Sequence, residues 1–146
     1  MIIAKSFEFD AGHRLVKGYV GPCSNLHGHR YKVEIELEST ALNEYDMVYD
    51  FLDLSFVKKW IDDTLDHKLM LYKFDPIVSV LENAEEVNVD SVVLFDNNPT
   101  AEYIAKVIFT HILEHTEIPA RLLCAVKVWE TPKCWAKYHG DYVPEI

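Results

Sequence analysis

The segment Tyr31-Lys32-Val33-Glu34-Ile35-Glu36-Leu37 alternates apolar and charged residues without a break. Successive side chains of an extended strand point to opposite faces, so this pattern predicts a half-buried strand over residues 29–37. Tyr31, Val33, Ile35 and Leu37 face a core, and Lys32, Glu34 and Glu36 face water. Residues 2–9 alternate more loosely and predict a preceding strand. Residues 10–25 contain three of the five glycines and a proline, which predicts a long connection.

Further along, the periodicity changes from two to that of a helix. Leu54, Val57, Trp60, Ile61 and Leu65 form one stripe over residues 53–65, with Asp53 placed to cap its start. A second helix is predicted after Asn98-Pro99, with Asn98 as cap, Pro99 at the first helical position and Ile104, Val107, Ile108 and Ile112 as its stripe. Short strands are predicted over residues 47–51 and 91–95, and two late strands over 120–130 and 134–139. Residues 76–90 are the least patterned, with room for a short helix in the acidic stretch 82–90. This order predicts an α+β domain spanning residues 1–146, with antiparallel strands and two helices packed on one sheet face.

Length and charge narrow the function. A chain of 146 residues supports one core but not two. A net charge of −10 with no basic stripe argues against nucleic acid as a partner. No apolar run is long enough for a membrane span, and the first residues lack the pattern of a secretory leader, so a cytoplasmic location is expected. Cys23, Cys124 and Cys134 form no Cys-x-x-Cys pair, and a disulfide framework is not expected.

The chemistry concentrates in Cys23-Ser24-Asn25-Leu26-His27-Gly28-His29. Histidines two apart in extended chain point the same way, so His27 and His29 can share one ligand. His13 follows the first strand, and antiparallel pairing of the first two strands would bring it to the same spot. Three neutral imidazoles suit Zn²⁺ and leave a fourth position open. Cys23 is a base or nucleophile beside such a site, or a fourth ligand that closes it into a structural one. His111 and His115 are also spaced for a metal, but they lack the metalloprotease glutamate and lie at a helix C-terminus, which predicts a solvated helix end.

Two further carboxylates carry two readings each. Asp66-His67 after the first helix is either a base with its orienting acid or a polar helix terminus, and adjacency alone favours the terminus. Glu130 ends an apolar strand; it is a solvent-facing edge residue or an acceptor for two parallel hydrogen bonds from an amino-pyrimidine edge.

Taken in order, Phe9 to Leu15, Cys23 to Tyr31, Met47-Val48-Tyr49-Asp50-Phe51, Leu65-Asp66-His67, Asn98-Pro99-Thr100-Ala101-Glu102 and Val128-Trp129-Glu130-Thr131 resemble the 6-pyruvoyl- and 6-carboxy-tetrahydropterin synthase family. The resemblance implies a tunnelling fold: a four-stranded antiparallel sheet with two helices on one face, assembled into homo-oligomers such as a hexamer built as a dimer of trimers. It implies His13, His27 and His29 as zinc ligands, Cys23 as a proton-transfer thiol, and Asp66 with His67 as its partner dyad, serving a neighbouring subunit's site. Glu130, Thr100 and Glu102 are implied at the pterin pocket, with Glu102 alternatively stabilising the helix start. The implied substrate is 7,8-dihydroneopterin triphosphate.

Three residues separate Cys23 from His27, which resembles the carboxy branch, whose reaction also releases acetaldehyde on the route to queuosine. The pyruvoyl branch and a non-catalytic zinc-stabilised module are the alternatives. The chain departs from the family pattern at Asp46, where glycine is usual, and in a longer stretch over residues 75–98. Arg14, Arg30, Lys127 and Lys133 are the candidate cations for a triphosphate in an otherwise acidic chain.

Overall fold

The alternating segment lies in the middle of the sheet. In the computed structural model, which describes residues 1–141, β1 (Ile2–His13) and β2 (His27–Glu38) pair antiparallel from Ile2↔Glu38 to His13↔His27. β5 (Leu123–Thr131) continues the antiparallel ladder from β2, and β6 (Cys134–Tyr138) from β5. Residues 142–146 of the expected single-domain span lie outside the described residues.

The expected four-stranded antiparallel sheet is enlarged on its other side. β3 (Lys68–Tyr72) pairs parallel with β1, and β4 (Val92–Phe95) pairs parallel with β3. The sheet is therefore mixed and six-stranded, in the order β4-β3-β1-β2-β5-β6. β3 has no alternation to read because it is covered on both faces: Met70 and Leu71, adjacent in sequence, are both fully buried.

Among the described residues three α-helices are present where two were expected: α1 (Ser55–Thr64), α2 (Ile77–Glu82) and α3 (Ala101–His115). The additional α2 precedes the acidic stretch 82–90, where a 3-10 turn, Val89–Ser91, forms instead of a helix. Residues 47–51 do not form a strand. Asn43 Oδ1 accepts from the Tyr45 and Met47 amides, and Asp50 Oδ1 accepts from Leu52 N, so local turns satisfy the backbone there. Asp50 thus caps a 3-10 turn, Phe51–Leu54, leading into α1, the role expected of Asp53.

Val57 and Ile61 of α1 and Ile104, Ile108 and Ile112 of α3 meet Phe9, Val33, Ile35, Val126 and Val128 in one apolar core. The helices also touch through Trp60 and His111, whose rings stack at 4.0 Å. His111 is therefore half-buried rather than solvated, and burial holds its imidazole below the ordinary histidine range. His115 is exposed, as expected of a helix end.

Candidate metal centre and its flanking groups

The β1–β2 ladder ends on His13 opposite His27, with His29 opposite Ala11. Residues 27, 29 and 31 share one face of β2, so both histidines project from the face that carries Tyr31, Val33 and Ile35 into the core. Gly28 projects from the other face, where an added Cβ would lie 3.2 Å from the Ala11 carbonyl oxygen. It serves the close approach of β1 and β2, and it also lines both clefts beside His29.

One ligating atom from each of His13, His27 and His29 falls within 4.8 Å of the others. Their rings meet edge to face or tilted, with centroids 4.6 Å apart for His13–His27, 5.1 Å for His13–His29 and 4.8 Å for His27–His29. Outer contacts fix two tautomers. His13 Nδ1 lies 2.8 Å from the Pro99 carbonyl oxygen, and His27 Nδ1 lies 2.7 Å from that of Asn25. A carbonyl can only accept, so each Nδ1 carries the proton and each Nε2 is left with a lone pair.

These two Nε2 atoms face each other at 3.1 Å, where neutral lone pairs repel unless a cation is shared. Among the described residues His29 Nε2 is buried without a hydrogen-bond partner, and Glu130 Oε1 approaches it at 3.4 Å without hydrogen-bond alignment. Burial holds the His13 and His29 imidazoles below their ordinary range, which favours the neutral form a metal requires. Converging lone pairs with oriented outer nitrogens fit a bound metal.

Cys23 sits in a 3-10 turn, Pro22–Ser24, half-buried and outside the histidine group. Its backbone carbonyl accepts from Leu15 N at 2.8 Å, tying the turn to the residues after His13. Among the described residues the potential ligand set is therefore three histidines, without the thiol.

Asp66 and His67 lie just past the end of α1, and their side chains touch, which adjacency alone argued against. His67 takes φ 57°, a left-handed conformation uncommon for a residue with a side chain. This turn lets His67 Nδ1 donate to Asp66 Oδ2 at 2.9 Å. Asp66 Oδ1 accepts from Asp10 N at 2.9 Å, and His67 N donates to the Asp10 carbonyl at 2.7 Å. The Asp10 amide holds the Asp66 carboxyl below the usual carboxylate range, and the Asp66 carboxylate raises the His67 imidazole above its own. His67 is exposed and lines a cleft of about 580 Å³ with Gly12, His29 and Lys68.

Glu130 falls where the β5–β6 register shifts, between Trp129↔Trp135 and Thr131↔Cys134. Such an irregularity re-aims a side chain, and Glu130 lines a second cleft of about 640 Å³ with His29, Lys32 and Trp129. Thr100, rather than Asn98, caps α3, accepting from Tyr103 N at 3.2 Å. Asn98 instead bonds both ways with the Val16 backbone, at 3.0 and 2.9 Å, because its place before Pro99 faces the connection after β1. Glu102 is exposed in the first turn of α3.

The candidate triphosphate cations are largely engaged. Arg14 pairs with the buried Asp75, Arg30 with Glu8 and Asp10, and Lys127 lies over the rings of Trp129 and Trp135. Lys133 is exposed on the β5–β6 turn. The contributions of Pro99, Asn25 and Asp10 are main-chain ones, so residue type carried no signal for them.

The 6-pyruvoyl tetrahydropterin synthase family pattern matches residues 2–141. The chain belongs to this family. Relatives named 6-carboxy-5,6,7,8-tetrahydropterin synthase include one from Rickettsia felis, 35% identical over 91% of this chain and 96% of its own. Another, from Aquifex aeolicus, is 33% identical over 95% of this chain and 98% of its own. Among solved structures, an uncharacterised protein from Wolinella succinogenes matches with a TM-score of 0.83 and 28% identity, over 97% of this chain and 98% of its own. The Caenorhabditis elegans 6-pyruvoyl tetrahydropterin synthase matches in fold, with a TM-score of 0.70 at 23% identity over 97% and 96% of the two chains. Family membership makes the chain a pterin synthase, and no described helix is long and apolar enough to cross a membrane.

Proposed function

We propose that this chain is a zinc-dependent 6-carboxy-5,6,7,8-tetrahydropterin synthase that converts 7,8-dihydroneopterin triphosphate with release of triphosphate and acetaldehyde. The observation that carries the reading is the meeting of the His13 and His27 Nε2 lone pairs at 3.1 Å beside the unpartnered Nε2 of His29. His13, His27 and His29 would hold zinc through these nitrogens. The names of the relatives and the Cys-x₃-His-Gly-His spacing favour the carboxy product over the pyruvoyl one.

Bound zinc supplies Lewis acidity toward the side-chain hydroxyls of the pterin. The residues around it divide the remaining work. Glu130 accepts hydrogen bonds from the amino-pyrimidinone edge and so orients the ring. Cys23, outside the ligand set, moves a proton at the side chain through its thiol. His67 has Nδ1 committed to Asp66, which leaves Nε2 as the atom that exchanges a proton. Because His67 is exposed, the dyad is assigned to the site of a neighbouring subunit in a homo-oligomer, a hexamer in this reading. Thr100 and Glu102 follow Pro99, whose carbonyl holds His13, and in this reading they stand beside the pterin as the resemblance implies.

The direct test is mass spectrometry of zinc-loaded protein incubated with 7,8-dihydroneopterin triphosphate. Carboxy-tetrahydropterin with acetaldehyde is expected. A pyruvoyl product would keep the site and overturn the branch, and no turnover at full metal occupancy would overturn the enzymatic reading.

A further inference from the structure

Tyr31 is the other polar group at this site left without a partner. It is fully buried, and among the described residues its hydroxyl has no hydrogen-bond partner. The residue follows His29 by two positions and shares its face of β2. Its ring stacks on Phe9 at 5.0 Å and stands edge-on to His13 at 5.9 Å and to His29 at 5.6 Å. Held on these sides, the ring has little freedom to swing its hydroxyl toward another acceptor. Burial acts most strongly on that hydroxyl, and after it the ionisable groups Glu130 and Cys23. An unsatisfied buried hydroxyl costs about 1–3 kcal/mol, and phenylalanine would fill the same space without that cost.

We propose that Tyr31 contacts substrate: its hydroxyl donates a hydrogen bond to the oxygen held at the three histidines, water at rest and a side-chain hydroxyl of the pterin in the complex. The ring packs as part of the core while its polar tip completes the ligand's shell. This rests on reading the site as pterin-binding. It also specifies the chemistry recognised, a hydroxyl-bearing side chain rather than the ring alone.

The test is Tyr31→Phe in the metal-loaded protein, with neopterin and with a pterin lacking the side-chain hydroxyls as binding probes. Neopterin is expected to bind about five- to tenfold more weakly, the worth of one neutral hydrogen bond. The hydroxyl-free pterin should bind both proteins alike, metal content should stay the same, and the metal-free variant should melt no lower than the parent. Neopterin binding within twofold of the parent, or equal losses for the two probes, would overturn the proposal. If the parent binds neither probe, the pterin reading itself fails. A crystal structure of the metal-loaded parent then decides: an ordered oxygen within hydrogen-bond distance of Tyr31 Oη supports the assignment, and a Tyr31 hydroxyl bonded to a protein atom refutes it.

Discussion

His13→Ala and His27→Ala each remove one of three ligands, yet they should act very differently on the metal-free fold. His13 is fully buried, packs against the rings of His27, His29 and Tyr31, and holds the Pro99 carbonyl at 2.8 Å. Truncation loses that packing and strands a buried acceptor, together about 3 kcal/mol. For a chain of this size that lowers the melting temperature by roughly 10 °C. His27 is half-buried, and its partner carbonyl on Asn25 lies at an exposed residue that water can reach. Its loss should cost under about 0.5 kcal/mol, and relief of the Nε2–Nε2 contact can make it stabilising. With metal at one hundred times its dissociation constant, the parent gains about 2.7 kcal/mol, and both variants should lose most of that gain. Thermal unfolding of chelator-treated protein, with and without added zinc, reads both effects. Equal metal-free losses, or a full zinc-dependent shift in either variant, would refute the reasoning.

Cys23→Ala should keep zinc stoichiometry while abolishing turnover, because the thiol lies outside the ligand group; loss of zinc by elemental analysis would restore the closed structural site. Asp66→Asn should lower the His67 imidazole midpoint, followed by NMR titration, from its raised value toward the ordinary histidine value of 6.5. Asp75→Asn should destabilise the protein by about 2 kcal/mol at neutral pH, since Arg14 loses its buried partner. The Asp75 carboxyl is held below its usual value by Arg14, so its contribution is present above about pH 4 and lost as pH falls through the depressed folded value; the variant's unfolding midpoint should be flatter over that acid range. Co-assembly of His27→Ala with Asp66→Asn chains should regain about a quarter of parental turnover if each site draws its ligands and its dyad from different subunits, and none if one chain supplies both.

Legibility followed how each residue is held. The Tyr31–Leu37 alternation and the two helical stripes were readable because one covered face imposes a period. Antiparallel adjacency of the first two strands was enough to bring His13 beside His27, as the register bears out. β3 and β4 were harder: a parallel strand covered on both faces has no period, and only the short apolar run Leu69-Met70-Leu71 marks the first of them. Residue preference also misassigned the start of α3, where Asn98 had a competing partner in the Val16 backbone. The usual family glycine at position 46 has a backbone cause, since Asp46 takes φ 60°, a region that Asp tolerates better than most residues. Asp66 and His67 were readable through resemblance alone, because the left-handed turn that lets neighbours in sequence face each other has no signature in residue type.

The site divides between two kinds of support, and the division suits what each part has to do. In the proposed reading, metal ligands must hold their spacing to a fraction of an ångström, and the three histidines project from the end of a twelve-pair antiparallel ladder into a packed core. In the same reading, the groups that meet an arriving and leaving substrate sit on irregular backbone: the proton-transfer groups Cys23 in a 3-10 turn and His67 at a left-handed residue, and the ring-orienting Glu130 at a register shift. Each turn is nevertheless tied to the first strand or its immediate continuation, Cys23 through Leu15, Asp66 and His67 through Asp10, and Glu130 by its approach to His29 on the paired strand. A shift of β1 against β2 would therefore disturb the ligand spacing and the proton-transfer groups together. Glycines 12 and 28 are directly opposed in this ladder, and a side chain at Gly28 would lie 3.2 Å from the Ala11 carbonyl oxygen, pressing on the strand that carries His13 from the strand that carries His29.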